Sequence, residues 1–379
     1  MDLSGCRKEI DGIDNQILEL FTRRMGISAE VAKLKSEKDI GVFDAGRENE
    51  ILMRISRDAA PEVEGYSRVL FSTIMDLSRS YQHCIREAET EVSRKIEQAV
   101  AETPPIFPQK GIVACQGAEG SYSKQACDKL FPVANAMFFK NFEGVFQAVE
   151  QGMCEFGILP IENSIYGTVN EVYDLMRNYN FYIVRSLKLQ LNHTLLAKPG
   201  TDISGIKEII SHDQAIGQCS EYLKSLNGVK VTRCENTALA AKQVAESSRT
   251  DIAAISSREC AAIYGLNVLK DDIQKSDHNY TRFICISKNM LIFPGANKIS
   301  IMLTISHKPG SLYRMISKFS ALGVNLTKIE SRPIPGRDFE FIFYFDMEAS
   351  VYSAEVIKLL GELSGGPETF VFLGSYNEV

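Results

Sequence analysis

The chain has 379 residues, 45% hydrophobic and 24% charged, with 42 Lys and Arg against 48 Asp and Glu for a net charge of −6 at pH 7. That length supports two or three separate cores, and the acidic balance excludes the net basic face that nucleic-acid binding requires. No run of eighteen apolar residues occurs and the first thirty lack a signal peptide's basic-then-apolar order, so no membrane span is expected and the expected compartment is the cytoplasm. The nine cysteines lie at least twelve residues apart and no CxxC or HxxxH occurs, so neither disulfides nor a metal site is expected, and nothing in the chain calls for a cofactor.

In chain order, Leu3, Cys6, Ile10, Ile13, Ile17, Leu20, Ile27, Val31 and Leu34 follow the three-four spacing of a long helix packed against other helices. Position 24 of that seam is occupied by Arg24. A guanidinium taken out of water without an anion costs several kcal/mol. Two readings follow: an ion pair with a carboxylate of a neighbouring helix, or a bound anion. Lys35 returns to nearly the same face about 16 Å further on, where a small dianion fits between the two cations. Arg7 lies about 25 Å from Arg24 along a continuous helix, so it reaches the same molecule only from an antiparallel copy, in a dimer. After a break near Gly41, Arg47 and Glu48 open a second helix over 45–57. Ser78 and Gln82 share one face of a third helix over 62–100. Residues 1–100 hold 15 Lys and Arg against 19 Asp and Glu, which makes the arginines local anion clamps in an acidic shell.

Three prolines in Thr103-Pro104-Pro105-Ile106-Phe107-Pro108 predict a stiff linker. Beyond it, strand-like runs (111–115, 156–159, 181–190, 208–211, 252–255, 282–286) alternate with helical ones (122–130, 143–152, 168–178, 213–226, 237–247). The alternation predicts an α/β region with mainly parallel strands. Polar clusters fall at the strand ends, where open α/β sheets bind ligands. They are Gly117 to Ser123, Pro160-Ile161-Glu162-Asn163-Ser164 with Gly167-Thr168, Ser211-His212-Asp213-Gln214-Ala215, and Asn279-Tyr280-Thr281-Arg282-Phe283. A lone Ser or Thr at such a junction is more often a helix cap than a catalytic group, and the glycines do not form a dinucleotide fingerprint. After the turn at Phe293-Pro294-Gly295, the pattern predicts strand, helix to Leu322, strands near 324–332 and 339–347, a helix near 352–364 and a strand near 369–375, in βαββαβ order.

Residues 1–90 resemble the all-helical chorismate mutases, in which three helices per chain interlock into a dimer. Arg7, Arg24, Lys35, Asp44, Arg47, Glu48, Ser78 and Gln82 match in order and type; Gly12 and Gly26 depart, and weaken the long helix locally. The resemblance implies rearrangement of chorismate to prephenate, an intramolecular reaction that needs only a held chair and stabilised charge on the ether oxygen. It implies Arg24 and the partner's Arg7 as carboxylate clamps, with Arg47 supporting. Lys35 and Gln82 donate to the ether oxygen, Glu48 accepts from the ring hydroxyl, and Asp44 and Ser78 line the pocket. Because Gln82 does not ionise, mutase turnover is expected to hold through neutral and mildly alkaline pH.

Residues 111–286 resemble prephenate dehydratases through Pro160 to Ser164, the Ser211-His212-x-Gln214-Ala215 motif and Thr281-Arg282-Phe283. The first loop departs from that family's pattern: Ala118 stands for Pro, Ser121 for Thr and Tyr122 for Phe. The resemblance implies Thr281 as the hydroxyl that hydrogen-bonds or protonates the departing OH of prephenate. Ser121, Asn163, Thr168, Ser211 and Gln214 then position substrate, while Arg282 either meets a carboxylate or braces Glu162. Gly310, Ser311 and Leu312 with Glu330, Ser331 and Arg332 resemble the ACT domain, an α+β ferredoxin-like module that binds phenylalanine between paired subunits; Ser311 stands where alanine is usual.

The expected organisation is therefore multidomain: an all-α three-helix mutase domain (1–100), a linker (101–110), an α/β two-lobed dehydratase domain (111–290) and an ACT domain (297–379). The expected chain is a bifunctional enzyme of phenylalanine synthesis, inhibited by phenylalanine and assembled as a dimer or tetramer. Rival readings are an arogenate dehydratase, and a non-catalytic amino-acid sensor built from the same modules.

Overall fold

The computed structural model describes residues 2–38, 40–85, 90–276, 278–337, 340–366 and 369–379, with the side chain of residue 84 left aside. Packing divides the chain into two compact units, 1–97 with 301–371, and 98–300 with 372–379.

The first unit opens with α1 (Leu3–Glu37), a single 35-residue helix started by the Asp2 carboxylate, which accepts the Gly5 amide. Its seam is not covered by any of the described residues: Ile10, Ile13, Ile17, Leu20, Ile27 and Leu34 are 49–63% exposed, and only Ser28 and Ala32 of α1 are buried. The helix α2 (Ala45–Asp58) starts at Asp44, and α3 (Glu64–Ile85) lies against both α1 and α2. The single helix expected over 62–100 is instead two, because α4 (Glu91–Glu102) begins afresh at Thr90. There the Thr90 hydroxyl accepts the Ser93 amide at 3.1 Å and the Ser93 hydroxyl accepts the Thr90 amide at 2.9 Å. Such reciprocal capping marks a helix start; residues 86–89 lie outside the described residues.

In the second unit come β1 (Lys110–Gln116), α5 (Tyr122–Leu130), β2 (Val133–Phe139), α6 (Phe142–Glu150), β3 (Phe156–Asn163), β4 (Gly167–Thr168), α7 (Asn170–Met176) and β5 (Tyr182–Gln190). They are followed by β6 (Thr194–Ala197), β7 (Glu208–Ser211), α8 (Asp213–Gln218), α9 (Ser220–Ser225), β8 (Lys230–Arg233), α10 (Thr237–Glu246), β9 (Ile252–Ser256), α11 (Glu259–Tyr264), β10 (Asn267–Lys270) and β11 (Tyr280–Ser287). Two sheets result, β2-β1-β3-β11-β5 with β4 on β3, and β10-β6-β9-β7-β8. The expectation of mainly parallel strands needs correcting: β11 runs antiparallel to both β3 and β5, and β6 antiparallel to β9 and β10. The physical reason is the route of the chain. It passes between the sheets through 191–193, and on its return no helix is found among the described residues of 271–276 and 278–279; only a crossover returns a strand parallel. Each sheet has its own core, around Val113, Phe131, Ile158 and Phe283 in the first and Leu195, Ile209 and Ile255 in the second.

The proline-rich segment is docked rather than free. The Phe107 ring lies 5.0 Å from that of Phe131 and 4.9 Å from that of Phe293, under the Arg185 guanidinium at 4.1 Å. The Thr103 hydroxyl accepts the Ile292 amide.

The remaining elements are β12 (Lys298–Thr304), α12 (Ser311–Ala321), β13 (Asn325–Pro333), β14 (Phe341–Glu348), α13 (Ala354–Ser364) and β15 (Phe370–Tyr376), in the sheet order β13-β14-β12-β15. This is the expected βαββαβ sequence with β13 at an edge. Glu362 of α13 accepts from Ser80 of α3 at 2.9 Å and pairs with Lys318 of α12 at 2.7 Å. The last residues leave the four-stranded sheet: Asn377 and Val379 hydrogen-bond the Ser186 backbone on β5, and Glu378 pairs with Lys188 and Lys298.

Two candidate active sites

In the helical region Arg24 and Ser78 meet, the guanidinium donating to the serine hydroxyl. Among the described residues no carboxylate lies within ion-pair distance of Arg24, so the structural ion-pair reading is not the one the fold adopts. Burial holds the Arg24 guanidinium below its ordinary pKa, the mark of a cation removed from water without a compensating charge. Gln82, one turn beyond Ser78, is buried with its side-chain oxygen lacking a hydrogen-bond partner. Buried amides are rarely left so, and an unpaired one suits a ligand's hydrogen bond.

The Lys35 ammonium donates to the Val42 carbonyl at 2.6 Å, which ties the end of α1 to the loop before α2. Asp44 caps α2 by accepting the Arg47 amide at 3.0 Å, so its first role is local. Arg47 reaches Glu50 at 3.1 Å on the open surface, and Arg7 is exposed on α1. Neither is brought to Arg24 within one chain. Glu48 is held by Arg79, which also pairs with Asp76 and lies 5.3 Å from the Phe43 ring centroid. Burial raises the Asp76 carboxyl, and Arg79 opposes that shift. Neither Arg79 nor Asp76 figures in the sequence reading. Their positions, three and six residues before Gln82 on the same helix, were the available signal.

In the α/β region the β3–β11 register sets Thr281 opposite Asn163 and Arg282 opposite Glu162. Neighbouring residues of a strand point to opposite faces, so the two pairs are separated by the sheet. The Arg282 guanidinium lies 3.5 Å from Glu162. Of the two roles expected for Arg282, this geometry fits the brace on Glu162.

On the other face, the Asn163 amide nitrogen lies 2.9 Å from the Thr281 hydroxyl and 2.9 Å from the Asn279 side-chain oxygen. Its oxygen accepts the Ile165 and Tyr166 amides, which fixes which way the amide faces. Since a Thr281 lone pair is taken by Asn163, the Thr281 hydrogen is left to donate elsewhere.

Asn279, Gln218 and His193 continue this polar line and are each less than a tenth exposed. Gln214 is exposed, and Gln218, four residues on along α8, takes the buried place beside Asn279. One helical turn thus separates Gln214 from Gln218, and it is the Gln218 side chain that meets the buried line. Ser211 donates to the Ile255 carbonyl at 2.7 Å, and Ser121 caps α5 by accepting the Lys124 amide at 3.3 Å. Both hydroxyls are thus engaged in holding backbone. Thr168 faces Glu162 across the β3–β4 pairing. In the loop before Ser121, Gly120 has φ +81 and a Cβ there would sit 2.7 Å from the Cys260 sulfur, so no other residue fits that turn.

Together these features define an enzyme of two modules: a helical clamp for a small anion, then an α/β site of neutral hydroxyls and amides. Family models agree: residues 6–83 match chorismate mutase type II and residues 113–291 match prephenate dehydratase. A bifunctional chorismate mutase/prephenate dehydratase of Aquifex aeolicus is 30% identical over 377 residues, 99% of this chain and 98% of that one. The arogenate dehydratase/prephenate dehydratase 2 of Arabidopsis thaliana is 38% identical over 276 residues, 70% of this chain and 72% of that one. A solved prephenate dehydratase from Arthrobacter aurescens, in complex with L-Phe, matches with TM-score 0.64 and 29% identity over 70% of this chain and 89% of that chain. The chain belongs to the bifunctional chorismate mutase/prephenate dehydratase family. It is an enzyme of phenylalanine biosynthesis, an isomerase on chorismate and a lyase on prephenate, and neither rival reading is favoured.

Proposed function

We propose that the two activities rest on the two clusters just described. In the mutase step Arg24 and the partner's Arg7 hold the two carboxylates of chorismate, with Lys35 and Gln82 donating to the ether oxygen as the C–O bond breaks. Glu48 accepts from the ring hydroxyl, Ser78 orients Arg24, and Asp44 and Arg47 organise the start of α2. No proton is transferred, so the gain comes from fixing one conformer and from donors aimed at developing charge. The observation that carries this reading is the buried Arg24 guanidinium with a hydroxyl as its partner.

In the dehydratase step Thr281 donates to the departing hydroxyl while carbon dioxide leaves and the ring becomes aromatic. Asn163 accounts for the donor role, since it already occupies a lone pair of that hydroxyl.

The helical residues up to about 100 form the mutase domain, residues 111–290 the dehydratase domain, and residues from 297 an ACT domain of ferredoxin-like fold. Its strand order and the edge strand β13 suit a second copy pairing there, with phenylalanine held near Gly310, Ser311 and Leu312 and near Glu330, Ser331 and Arg332 to inhibit the enzyme. The uncovered seam of α1 supports a homodimer.

Arg24→Leu tests the mutase half. Loss of a charge-stabilising donor costs about 100-fold or more in kcat/KM for chorismate, whereas turnover of supplied prephenate should stay within twofold (about 0.4 kcal/mol). The melting temperature should hold or rise, since an apolar residue of similar volume suits a seam. Unchanged chorismate turnover would remove Arg24 from the site.

A further inference from the structure

From the buried polar line behind Thr281 we infer that His193 is a positioning residue of the dehydratase reaction, holding the Gln218 amide in the one orientation that matches Asn279 and the hydrogen bonds leading back to the Thr281 hydroxyl. The inference rests on the reading of Thr281 as the donor to the leaving group.

The line has no free choice of direction. Asn279 donates to the Leu191 carbonyl at 3.3 Å, which can only accept, so its nitrogen faces that way and its oxygen faces Asn163. The same nitrogen lies 3.1 Å from the Gln218 side-chain oxygen, and the Gln218 nitrogen donates back to the Asn279 oxygen at 3.2 Å. The Gln218 oxygen therefore also faces the His193 Nε2, with which it is in contact. A carbonyl oxygen only accepts, so Nε2 must carry the hydrogen.

Burial pushes the imidazole below its ordinary pKa of 6.5. In the neutral ring Nδ1 is then the acceptor. The Tyr122 hydroxyl stands 3.0 Å from Nδ1 and 2.7 Å from the Asn192 carbonyl. Tyr122 is the residue at which this chain departs from the phenylalanine usual in its family, and its single hydrogen serves either the Asn192 carbonyl or Nδ1, never both at once.

Were Nε2 to lose its hydrogen, the Gln218 amide would turn its nitrogen toward it, setting donor against donor and acceptor against acceptor at Asn279, which the Leu191 carbonyl holds in orientation, and so pushing Asn279 off Asn163. The Asn163 nitrogen would then have one acceptor fewer, and the Thr281 hydroxyl one donor less certain. His193 thus acts on catalysis without touching substrate, through three side-chain amides.

The deciding comparison is His193→Gln with His193→Asn in the full-length chain, measured on prephenate. Glutamine carries a donor near the position of Nε2; asparagine carries one near Nδ1 and none near Nε2. The expected outcome is that His193→Gln keeps kcat within about threefold, while His193→Asn loses about tenfold or more, the worth of one hydrogen bond in a site. KM should stay within about twofold for both, because no substrate contact is removed. Equal kcat for the two variants, or a loss confined to KM, overturns the assignment. Should Thr281→Ala retain dehydratase activity, the underlying reading fails instead. Should Thr281→Ala be inactive while the two His193 variants match, only His193 falls.

Discussion

A buried charge or amide carries information because leaving it unpaired is costly. Arg24 is legible for that reason, a charge at a position whose helical spacing demands an apolar residue, whereas Gln82 is singled out only by sharing a helix face with Ser78 and by the resemblance. The same logic at His193 gives a consequence for pH. Burial depresses the pKa of His193 and of His212 in the folded chain, against 6.5 when free. Between the depressed value and 6.5 the unfolded chain binds more protons, so stability rises with pH through that window and is constant with respect to these groups above it. The melting temperature of the dehydratase domain is expected to fall as pH drops from 7.5 to 5.5. The fall should be smaller in His193→Gln, and an equal fall in that variant would show that His193 does not titrate with unfolding.

Elements were read to the extent that their signals were local. Helix α5, predicted over 122–130, is found at Tyr122–Leu130, where the Ser121 cap starts it and its apolar face meets β1. Strand β2 is not legible because its burial alternates only weakly, and β6, β8 and β10 are too short for a firm period, although β7, of the same four-residue length, is read at 208–211. The parallel bias failed because strand direction depends on where the chain crosses between sheets, a non-local property.

The seam of α1 shows the opposite case: its pattern is clear, yet none of the described residues covers it. The proposed dimer would cover this apolar surface and stabilise the helix. Ile17→Asp, with Ile13→Asp beside it, should therefore shift the chain toward monomer in sedimentation. Mutase activity should be lost with it, because the partner's Arg7 is no longer delivered, while turnover of supplied prephenate persists. Retained mutase activity in a demonstrated monomer would refute the shared site.

For the whole molecule, motif order made the family and its two reactions readable, because each module's polar residues recur at fixed spacing. What remained hidden was any contact made across the fold. Gln218 rather than Gln214 meets Asn279, Arg282 lies across the sheet from Asn163, and Phe107 packs the stiff linker onto Phe131. None of these follows from spacing along the chain, since each depends on register or on packing between distant segments.

The account depends most on the two chemical steps having separate sites, and Thr281→Ala supplied with chorismate tests that directly. Prephenate should accumulate at the wild-type rate with no phenylpyruvate formed beyond the uncatalysed background. Phenylpyruvate appearing at the normal rate, or loss of prephenate formation together with it in a folded chain, would contradict the account.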